Sequence, residues 1–221
     1  MHAGANAATV TITNHCQANI WPAILNNGWT LAPGASISVG VSSPSSVRFW
    51  ARTGCTTDAS GGFSCATGDC NSGQVECKGN SGVPPTTLVE LFLAANGGQD
   101  FYDVSNVDGF NVPVSVAPQG GTGACGASSC PVDINASCPA ELQLKAAGSG
   151  EVIGCKSACA AFNEPQYCCT GAFDKPETCP PTDYSRFFEG KCPQAYSYAY
   201  DDKNSLFTCS GGPDYLITFC P

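Results

Sequence analysis

The sequence predicts a mainly β fold, an antiparallel β-sandwich that carries loop-rich, disulfide-bonded excursions. Short segments of alternating apolar and polar residues recur along the chain, as in half-buried strands, and Gly, Pro, Asn and Asp separate them. The 16 cysteines among 221 residues form an even set, which fits eight disulfides with no thiol left over. Dense disulfides persist only in oxidising compartments, so we expect a secreted protein.

The charge balance excludes several classes of partner. The chain has 18 acidic and 9 basic residues, for a net charge of -9. Such a surface repels phosphate backbones and anionic lipid, so we expect no nucleic-acid partner and no membrane adhesion. No apolar run approaches the roughly 20 residues of a membrane span. This composition favours a neutral or cationic ligand.

The expected strands follow one another with turns between them. In the strand predicted at 47–52, Arg48 and Trp50 share the face opposite to Phe49. In the strand predicted at 87–94, Glu90 interrupts an otherwise apolar run. The strands are predicted at 9–13, 36–41, 47–52, 87–94, 101–105, 111–116, 205–209 and 215–219.

Two segments interrupt the strand pattern. Residues 55–80 are rich in Gly and Cys with little periodicity, which predicts a small disulfide-bonded lobe. Residues 125–192 carry nine of the cysteines and are expected to be mostly loop, with one short helix at 154–162. The predicted sandwich comprises residues 8–54, 81–124 and 193–221.

The first seven residues are excluded from the fold prediction. Ala5-Asn6-Ala7 has the A-x-A form of a signal-peptidase site. Residues 1–7 are therefore interpreted either as the remnant of a signal peptide or as a tail left from expression.

One run of residues in the small lobe points to a family. The pattern Gly61-x-Phe63-x-Cys65-x-Thr67-Gly68-Asp69-Cys70-x2-Gly73-x3-Cys77 resembles, at every fixed position, the signature of the plant thaumatin-like proteins, pathogenesis-related group 5. The stretches RFWARTGC (48–55), DGFNVPVSV (108–116) and CPQAYSYAYDD (192–202) resemble the same family. The resemblance extends from residue 8 to residue 221.

The resemblance implies a three-part fold. It comprises the β-sandwich as domain I, the disulfide-rich loop and helix segment as domain II, and the small lobe as domain III, with a cleft between domains I and II. It also implies eight disulfides, which are Cys16–Cys220, Cys55–Cys65, Cys70–Cys77, Cys125–Cys209, Cys130–Cys192, Cys138–Cys155, Cys159–Cys168 and Cys169–Cys179.

The resemblance further implies that one Arg and four acidic residues line this cleft. Each also has a plain structural reading: Arg48 as a partner of Trp50 or of an acidic neighbour, and the carboxylates as exposed strand, turn or loop groups. The last of the acidic positions is ambiguous, because Asp202 fits its motif as well as Asp201. The implied cleft residues are Arg48, Glu90, Asp103, Asp108 and Asp201.

Paired carboxyl groups in a cleft suggest acid-catalysed glycoside cleavage, which needs a protonated carboxyl and a carboxylate. An isolated carboxyl among apolar neighbours favours its protonated form, so we assign Glu90 as the acid and Asp108 as its partner. Phe101 and Tyr102 lie nearest to the acidic residues and are candidates for stacking on glucose rings. The family precedent is weak endo-β-1,3-glucanase activity in some members.

The predicted function is that of an antifungal plant defence protein, a monomer, that binds β-1,3-glucan or another fungal-wall polysaccharide. Weak hydrolysis of that glucan is a separate, second hypothesis, and the sequence leaves open whether the protein is an enzyme. The alternative is a protein-binding member, such as a microbial xylanase inhibitor, without catalysis. The sweet-tasting relatives are strongly basic, so the net charge argues against that activity. The end at Cys220-Pro221 favours the apoplast, because vacuolar members usually extend beyond the last cysteine.

Other chemistries receive little support from the sequence. We expect no cofactor and no metal, because the pairing commits every cysteine to a disulfide. Neither His2 nor His15 is a credible catalyst. Asn135-Ala136-Ser137 matches the N-glycosylation sequon, so Asn135 is a candidate acceptor.

Overall fold

The computed structural model describes residues 7–221. Residues 1–6, and with them most of the predicted tail, lie outside the described range, whereas Ala7 opens the first strand and pairs with Ser42.

The strands are β1 (Ala7–Asn14), β2 (Trp21–Ile24), β3 (Asn27–Gly28), β4 (Ser36–Ser42), β5 (Ser45–Arg52), β6 (Thr56–Thr57), β7 (Phe63–Ser64), β8 (Leu88–Leu93), β9 (Asp100–Ser105), β10 (Val114–Gln119), β11 (Ser128–Cys130), β12 (Gln143–Lys145), β13 (Val152–Cys155), β14 (Phe207–Cys209) and β15 (Asp214–Phe219). The helices are α1 (Ala158–Phe162), α2 (Pro165–Cys168), α3 (Asp183–Lys191) and α4 (Asp202–Ser205).

Two sheets form the predicted sandwich. One has the strand order β11-β10-β15-β1-β4 and the other β14-β9-β8-β5-β2-β3. The pairs are antiparallel as predicted, except that β1 runs parallel to β15. Because β1 and β15 point the same way, their carboxyl ends meet, and the Cys16–Cys220 disulfide joins the chain just beyond both.

The core lies between the sheets and follows from strand alternation. Ile12 and Ile217 from the first sheet, and Phe49, Leu91 and Val104 from the second, are almost completely buried. Successive side chains on a strand point to opposite faces. Residues that alternate with these core positions in the second sheet therefore point outward, and this outer face carries the candidate site.

The small lobe covers one end of that outer face. It contains the short hairpin β6-β7, and it packs over Trp50 and Arg52 of β5, both of them buried. The Trp50 Nε1 donates a hydrogen bond to the Gly68 carbonyl at 2.9 Å, and the Arg52 guanidinium lies 5.3 Å from the Phe63 ring centroid. Arg48, four residues earlier in β5, stays outside this cover and is exposed.

The disulfide-rich segment differs from its prediction in its helices. The predicted helix at 154–162 begins only at Ala158, because Cys155 pairs with Gln143 in the hairpin β12-β13. The longest helix, α3, was predicted as loop. Thr182 begins it with a reciprocal capping box in which Ser185 takes the place of the usual Glu or Gln.

The cysteines of the described range are all paired. The eight disulfides join the same partners that the family resemblance implies. No helix within residues 7–221 is long and apolar enough to span a membrane.

Candidate functional site

A row of one basic and two acidic side chains crosses the outer face of the six-stranded sheet. Arg48 on β5 pairs directly with Glu90 on β8, and Glu90 pairs directly with Asp103 on β9. Directly opposite residues have Cβ atoms about 4.5–5.5 Å apart. The strand register alone therefore places one cation and two carboxyl groups side by side.

This row lies in a cleft with a volume of about 310 Å³. Further acidic and aromatic groups reach it from the turn after β9, from the segment that precedes α4 and from α4 itself. The lining residues are Arg48, Leu88, Glu90, Phe92, Asp103, Ser105, Val107, Asp108, Tyr196, Ala199, Asp202 and Leu206. Four of the five predicted cleft residues thus lie together, and the fifth, Asp201, does not line the cleft.

A tight turn delivers Asp108 to the cleft. The Gly109 amide donates to the Asn106 carbonyl at 2.9 Å, and the Asp108 carbonyl accepts from the Thr86 amide at 3.0 Å. Gly109 has a φ of +86°, and a Cβ there would lie 2.6 Å from the Cys155 carbonyl oxygen. The turn that the Asp-Gly pair predicts is present, and it needs glycine for both reasons.

Arg48 forms an ion pair with Glu90. Its Nε lies 2.6 Å from Glu90 Oε1, and the Glu90 side chain is only 16% exposed. The sequence predicts an isolated Glu90 among apolar residues, and this prediction is wrong, because the Arg48 guanidinium lies directly beside it. The sequence leaves two structural roles open for Arg48, namely a contact with Trp50 or with an acidic neighbour, and the structure shows the contact with an acidic neighbour.

Burial affects the carboxyl groups of Asp103 and Asp108, two of the three aspartates that line the cleft. Asp103 is 3% exposed, and its Oδ1 has no hydrogen-bond partner among residues 7–221. Burial, with smaller contributions from the charges of Glu90 and Asp202, raises the pKa of Asp103 to about 8, although Arg48 acts in the opposite direction. Burial also raises the pKa of Asp108, partly offset by Arg48. Both carboxyls can therefore hold a proton more readily than an exposed aspartate.

The ambiguity between Asp201 and Asp202 is resolved by their contacts. Asp201 turns back to the preceding loop, where its Oδ2 accepts from the Ser197 amide at 3.0 Å and the Ser197 hydroxyl at 2.7 Å. Asp202 accepts from the Tyr196 hydroxyl at 2.6 Å, and both residues line the cleft. The assignment of Asp201 to the cleft is corrected to Asp202.

Of the two predicted aromatic residues, only one lies on the cleft side of the sheet. Tyr102 is completely buried in the core, where its ring contacts Phe207 and Tyr215, because it alternates with Asp103 along β9. Phe101 shares the face of Asp103 and pairs with Phe92 across β8 and β9. Phe92 and Phe101 are 43% and 38% exposed, and Phe92 lines the cleft.

Sequence reasoning did not select Phe92, Tyr196 or Leu206 for the site. Phe92 was detectable, since it lies two residues from Glu90 on the same strand face. Tyr196 was not detectable from the sequence, because its position in the fold depends on a β-bridge to Ser105, a residue far away along the chain.

A second cavity continues the cleft along the sheet. Its volume is about 410 Å³, and it shares Arg48, Leu88, Phe92 and Asp108 with the first. The exposed side chain of Leu25 forms part of its far wall. The two cavities form an elongated groove, acidic at one end and more apolar at the other.

Two further predictions concern modification and metal binding. The Asn135 Nδ2, the atom that a glycan would use, donates to the Asn111 carbonyl at 3.1 Å, and its Oδ1 is buried. This arrangement does not favour glycosylation. Within residues 7–221, no cluster of three or more His, Cys, Asp or Glu is arranged to hold a metal ion.

Comparison with known proteins gives one family. The model of the thaumatin family matches residues 14–221. The chain is 63% identical to thaumatin-like protein 1 of Prunus persica, over 99% of the chain and 92% of that protein. It is 57% identical to a Prunus avium protein named glucan endo-1,3-beta-glucosidase, over the same shares, and 52% identical to pathogenesis-related protein 5 of Arabidopsis thaliana, over 97% and 91%.

Solved structures agree on the fold. The thaumatin-like xylanase inhibitor TLXI matches with a TM-score of 0.52 and 26% identity, over 96% of this chain and 99% of that one. A laminaripentaose-producing β-1,3-glucanase, solved with laminaritetraose, matches with a TM-score of 0.62, over 96% and 98%. Its identity is 12%, so it supports the fold alone.

Proposed function

The chain belongs to the thaumatin family, and on that basis we propose that it is a secreted plant defence protein whose acidic cleft binds β-1,3-glucan. The observation that carries the proposal is the in-register row of Arg48, Glu90 and Asp103 in an open cleft beside Asp108. We infer that the protein acts in the apoplast, since its disulfides suit an oxidising compartment. We propose separately that it is a monomer.

The groove has the chemical character that a polysaccharide needs. Ligand sites combine apolar walls with a few placed polar groups. Carboxylates and the Arg48 guanidinium offer acceptors and donors to sugar hydroxyls, while the exposed Phe92 ring offers an apolar face to a sugar ring. Phe101 does not line the cleft but is exposed and pairs with Phe92 on the same face of the sheet, where it would extend this surface. The naming of a relative that is 57% identical as glucan endo-1,3-beta-glucosidase supports the choice of β-1,3-glucan.

We propose slow hydrolysis with the catalytic roles exchanged relative to the assignment from sequence. Asp108 is the acid: its carboxyl passes a proton to the glycosidic oxygen as the bond from that oxygen to C1 breaks. The Glu90 carboxylate faces the developing positive charge and accepts a proton from the water that attacks C1. Exchange with solvent then restores both groups. The Glu90 carboxylate is already engaged in its ion pair with Arg48, and we therefore expect slow turnover.

The test is the release of reducing ends from laminarin by the wild type, Glu90→Gln and Asp108→Asn. Exposed Glu177→Gln is the matched control, because it removes a carboxylate of the disulfide-rich segment that does not line the cleft. We expect the two cleft variants to lose at least about tenfold of the rate and the control to retain it. Equal release by all four proteins would refute the catalytic assignment. If no protein releases sugar but all bind insoluble β-1,3-glucan, only the binding function stands.

The protein-binding alternative rests on the likeness to a xylanase inhibitor at 26% identity. It predicts inhibition of a microbial xylanase and no retention on β-1,3-glucan. Both measurements on the wild type separate the two functions.

A further inference from the structure

We propose that the groove binds an unbranched β-1,3-glucan chain that lies across the strands, over about four consecutive sugar rings, and that Leu25 and Leu206 contact its two end rings. The inference rests on the proposed function, since it takes the ligand to be this glucan. It goes further in assigning the direction of the chain, the number of rings bound and the two residues that set this number.

The row of charged residues continues at both ends into a leucine. The register of β14 with β9, continued by one residue, puts Leu206 in line with Asp103. The register of β2 with β5, continued by two residues, puts Leu25 in line with Arg48. In each case the two residues line the same cavity, of about 310 Å³ at the first end and about 410 Å³ at the second. The row therefore reads Leu206, Asp103, Glu90, Arg48 and Leu25.

The length of this row follows from the spacing of the strands. The row crosses β14, β9, β8, β5 and β2, which are consecutive in the sheet and are separated by four intervals. Neighbouring strands lie about 4.7–4.9 Å apart, so the row measures about 19 Å. A hexose ring with its linking oxygen is about as long as one interval, so the row matches about four rings. A disaccharide covers only half of it.

Both ends of the row are apolar and accessible. Leu25 is 51% exposed and Leu206 is 39% exposed. A sugar ring placed over either leucine removes apolar surface from water on both partners, which is favourable. A ligand confined to the charged centre does not gain these contacts, so the leucines favour a chain that reaches both ends.

The cavity at the Leu25 end has the composition of a site for a neutral ring. Leu25 and Phe92 supply apolar surface, and Asn26 and Ser81 supply uncharged hydrogen-bonding groups. Its charged residues, among the described lining residues, are only those that it shares with the first cavity. Ligand sites combine apolar walls with a few polar groups in this way. The groove is therefore suited to continue binding the glucan beyond the acidic residues.

The twist of the sheet bears on the linkage of the chain. The surface of a sheet turns by about 20–25° from each strand to the next, so the direction of the contact surface changes steadily along the row. A β-1,3-linked glucan winds into a helix, in which successive rings turn relative to one another, whereas a β-1,4-linked glucan forms a flat ribbon. The twisted row therefore favours the β-1,3-linked chain.

The experiment measures by calorimetry the affinity of the wild type for laminari-oligosaccharides from laminaribiose to laminarihexaose, with cellohexaose as the β-1,4-linked comparison. We expect affinity to increase with each added ring up to about four or five rings and then to level off. The total increase should be at least about tenfold. Cellohexaose should bind at least about tenfold less tightly than laminarihexaose.

Leu25→Ser and Leu206→Ser test the two ends of the row. Both side chains are exposed, so their replacement leaves the core intact. Each variant should bind laminarihexaose about fivefold less tightly, and the double variant at least about tenfold less tightly, because apolar contact is lost at one or both ends. Laminaribiose can lie over the centre of the row, so its affinity should change little. Val132→Ser is the matched control, since Val132 is 42% exposed and lines neither cavity.

The outcomes separate this inference from the proposed function. If laminaribiose binds as tightly as laminarihexaose, or if the leucine variants bind laminarihexaose as tightly as Val132→Ser does, the inference is overturned while the proposed glucan binding stands. Equal affinity for cellohexaose and laminarihexaose would overturn it as well. If laminarihexaose does not bind at all, the proposed function fails, and this inference fails with it.

Discussion

Glu90 and Asp103 lie directly opposite each other on β8 and β9, yet within the described range only Glu90 has a cationic partner. The Arg48 guanidinium neutralises Glu90, whereas Asp103 remains buried beside that carboxylate with an unpaired Oδ1. The two carboxyl groups therefore differ in their surroundings, since Glu90 is held in an ion pair while burial raises the pKa of Asp103 to about 8.

Replacing Arg48 by Gln should raise the pKa values of both Asp103 and Asp108. Arg48 is the group that offsets the effect of burial on each of them, so its loss disfavours both charged forms. Carboxyl carbon shifts followed by NMR across a pH titration measure the change. Arg186→Gln, which removes an exposed ion pair on α3, is the control and should leave both titrations unchanged. Unchanged titrations in Arg48→Gln would contradict the role given to Arg48.

Replacing Asp103 by Asn should alter how stability depends on pH. The pKa of Asp103, about 8, lies above its value in the unfolded chain, about 3.9, so between these values the folded protein holds a proton that the unfolded chain has released. The free energy of unfolding therefore falls as pH rises through this window, by up to about 1.4 kcal/mol per pH unit. The variant should lack this fall.

Urea denaturation at several pH values, with the disulfides intact, measures the effect of Asp103→Asn. The variant should gain stability over the wild type toward neutral pH and match it near about pH 4. Asp174→Asn, an exposed substitution, is the control and should follow the wild type. A constant difference between Asp103→Asn and the wild type at every pH would show that the buried carboxyl does not hold the proton.

Replacing Gly109 by Ala should destabilise the turn that presents Asp108. The residue combines a φ of +86° with a Cβ position 2.6 Å from a backbone oxygen. Gly34→Ala is a matched control, because its φ is +76° and nothing lies within 4 Å of the added Cβ. We expect a loss of about 1 kcal/mol in the control and about 2–4 kcal/mol at Gly109, measured by denaturation. Equal losses would show that the close approach to Cys155 is unimportant.

Removal of the disulfide that joins the two ends of the domain should lower the free energy of unfolding more than removal of a disulfide that closes a short loop. Cys16–Cys220 spans 204 residues and Cys55–Cys65 spans 10, and all four cysteines are partly buried. In the chain-entropy description, removal of the first by paired Ala substitution should cost about 5 kcal/mol and removal of the second about 3 kcal/mol. Denaturation curves of the two double variants measure the order. A larger loss for the short loop would contradict the entropic account.

The sequence predicted those parts of the fold that local pattern controls. Alternation identified the long strands, and the Asp108-Gly109 pair identified a turn, because both features depend on neighbouring residues. The helix α3 was missed because its capping box uses Ser185 instead of Glu or Gln. The parallel pairing of β1 with β15 has no local signal at all.

The sequence predicted which residue types line the cleft better than it predicted which groups each of them contacts. The residue types of the cleft followed from family motifs, but the partner of each carboxyl group depends on strand register. Glu90 was expected to be isolated, and register places Arg48 beside it. Asp201 and Asp202 are equivalent in sequence, and only the contact with Ser197 separates them.

The most direct test of glucan binding in the cleft is a titration of the isotope-labelled protein with laminarihexaose, followed by NMR. We expect saturable shift changes that cluster at Glu90, Phe92, Asp103 and Asp108, with little change in α3. An absence of shift changes at saturating ligand, or a cluster on α3 away from the cleft, would contradict it.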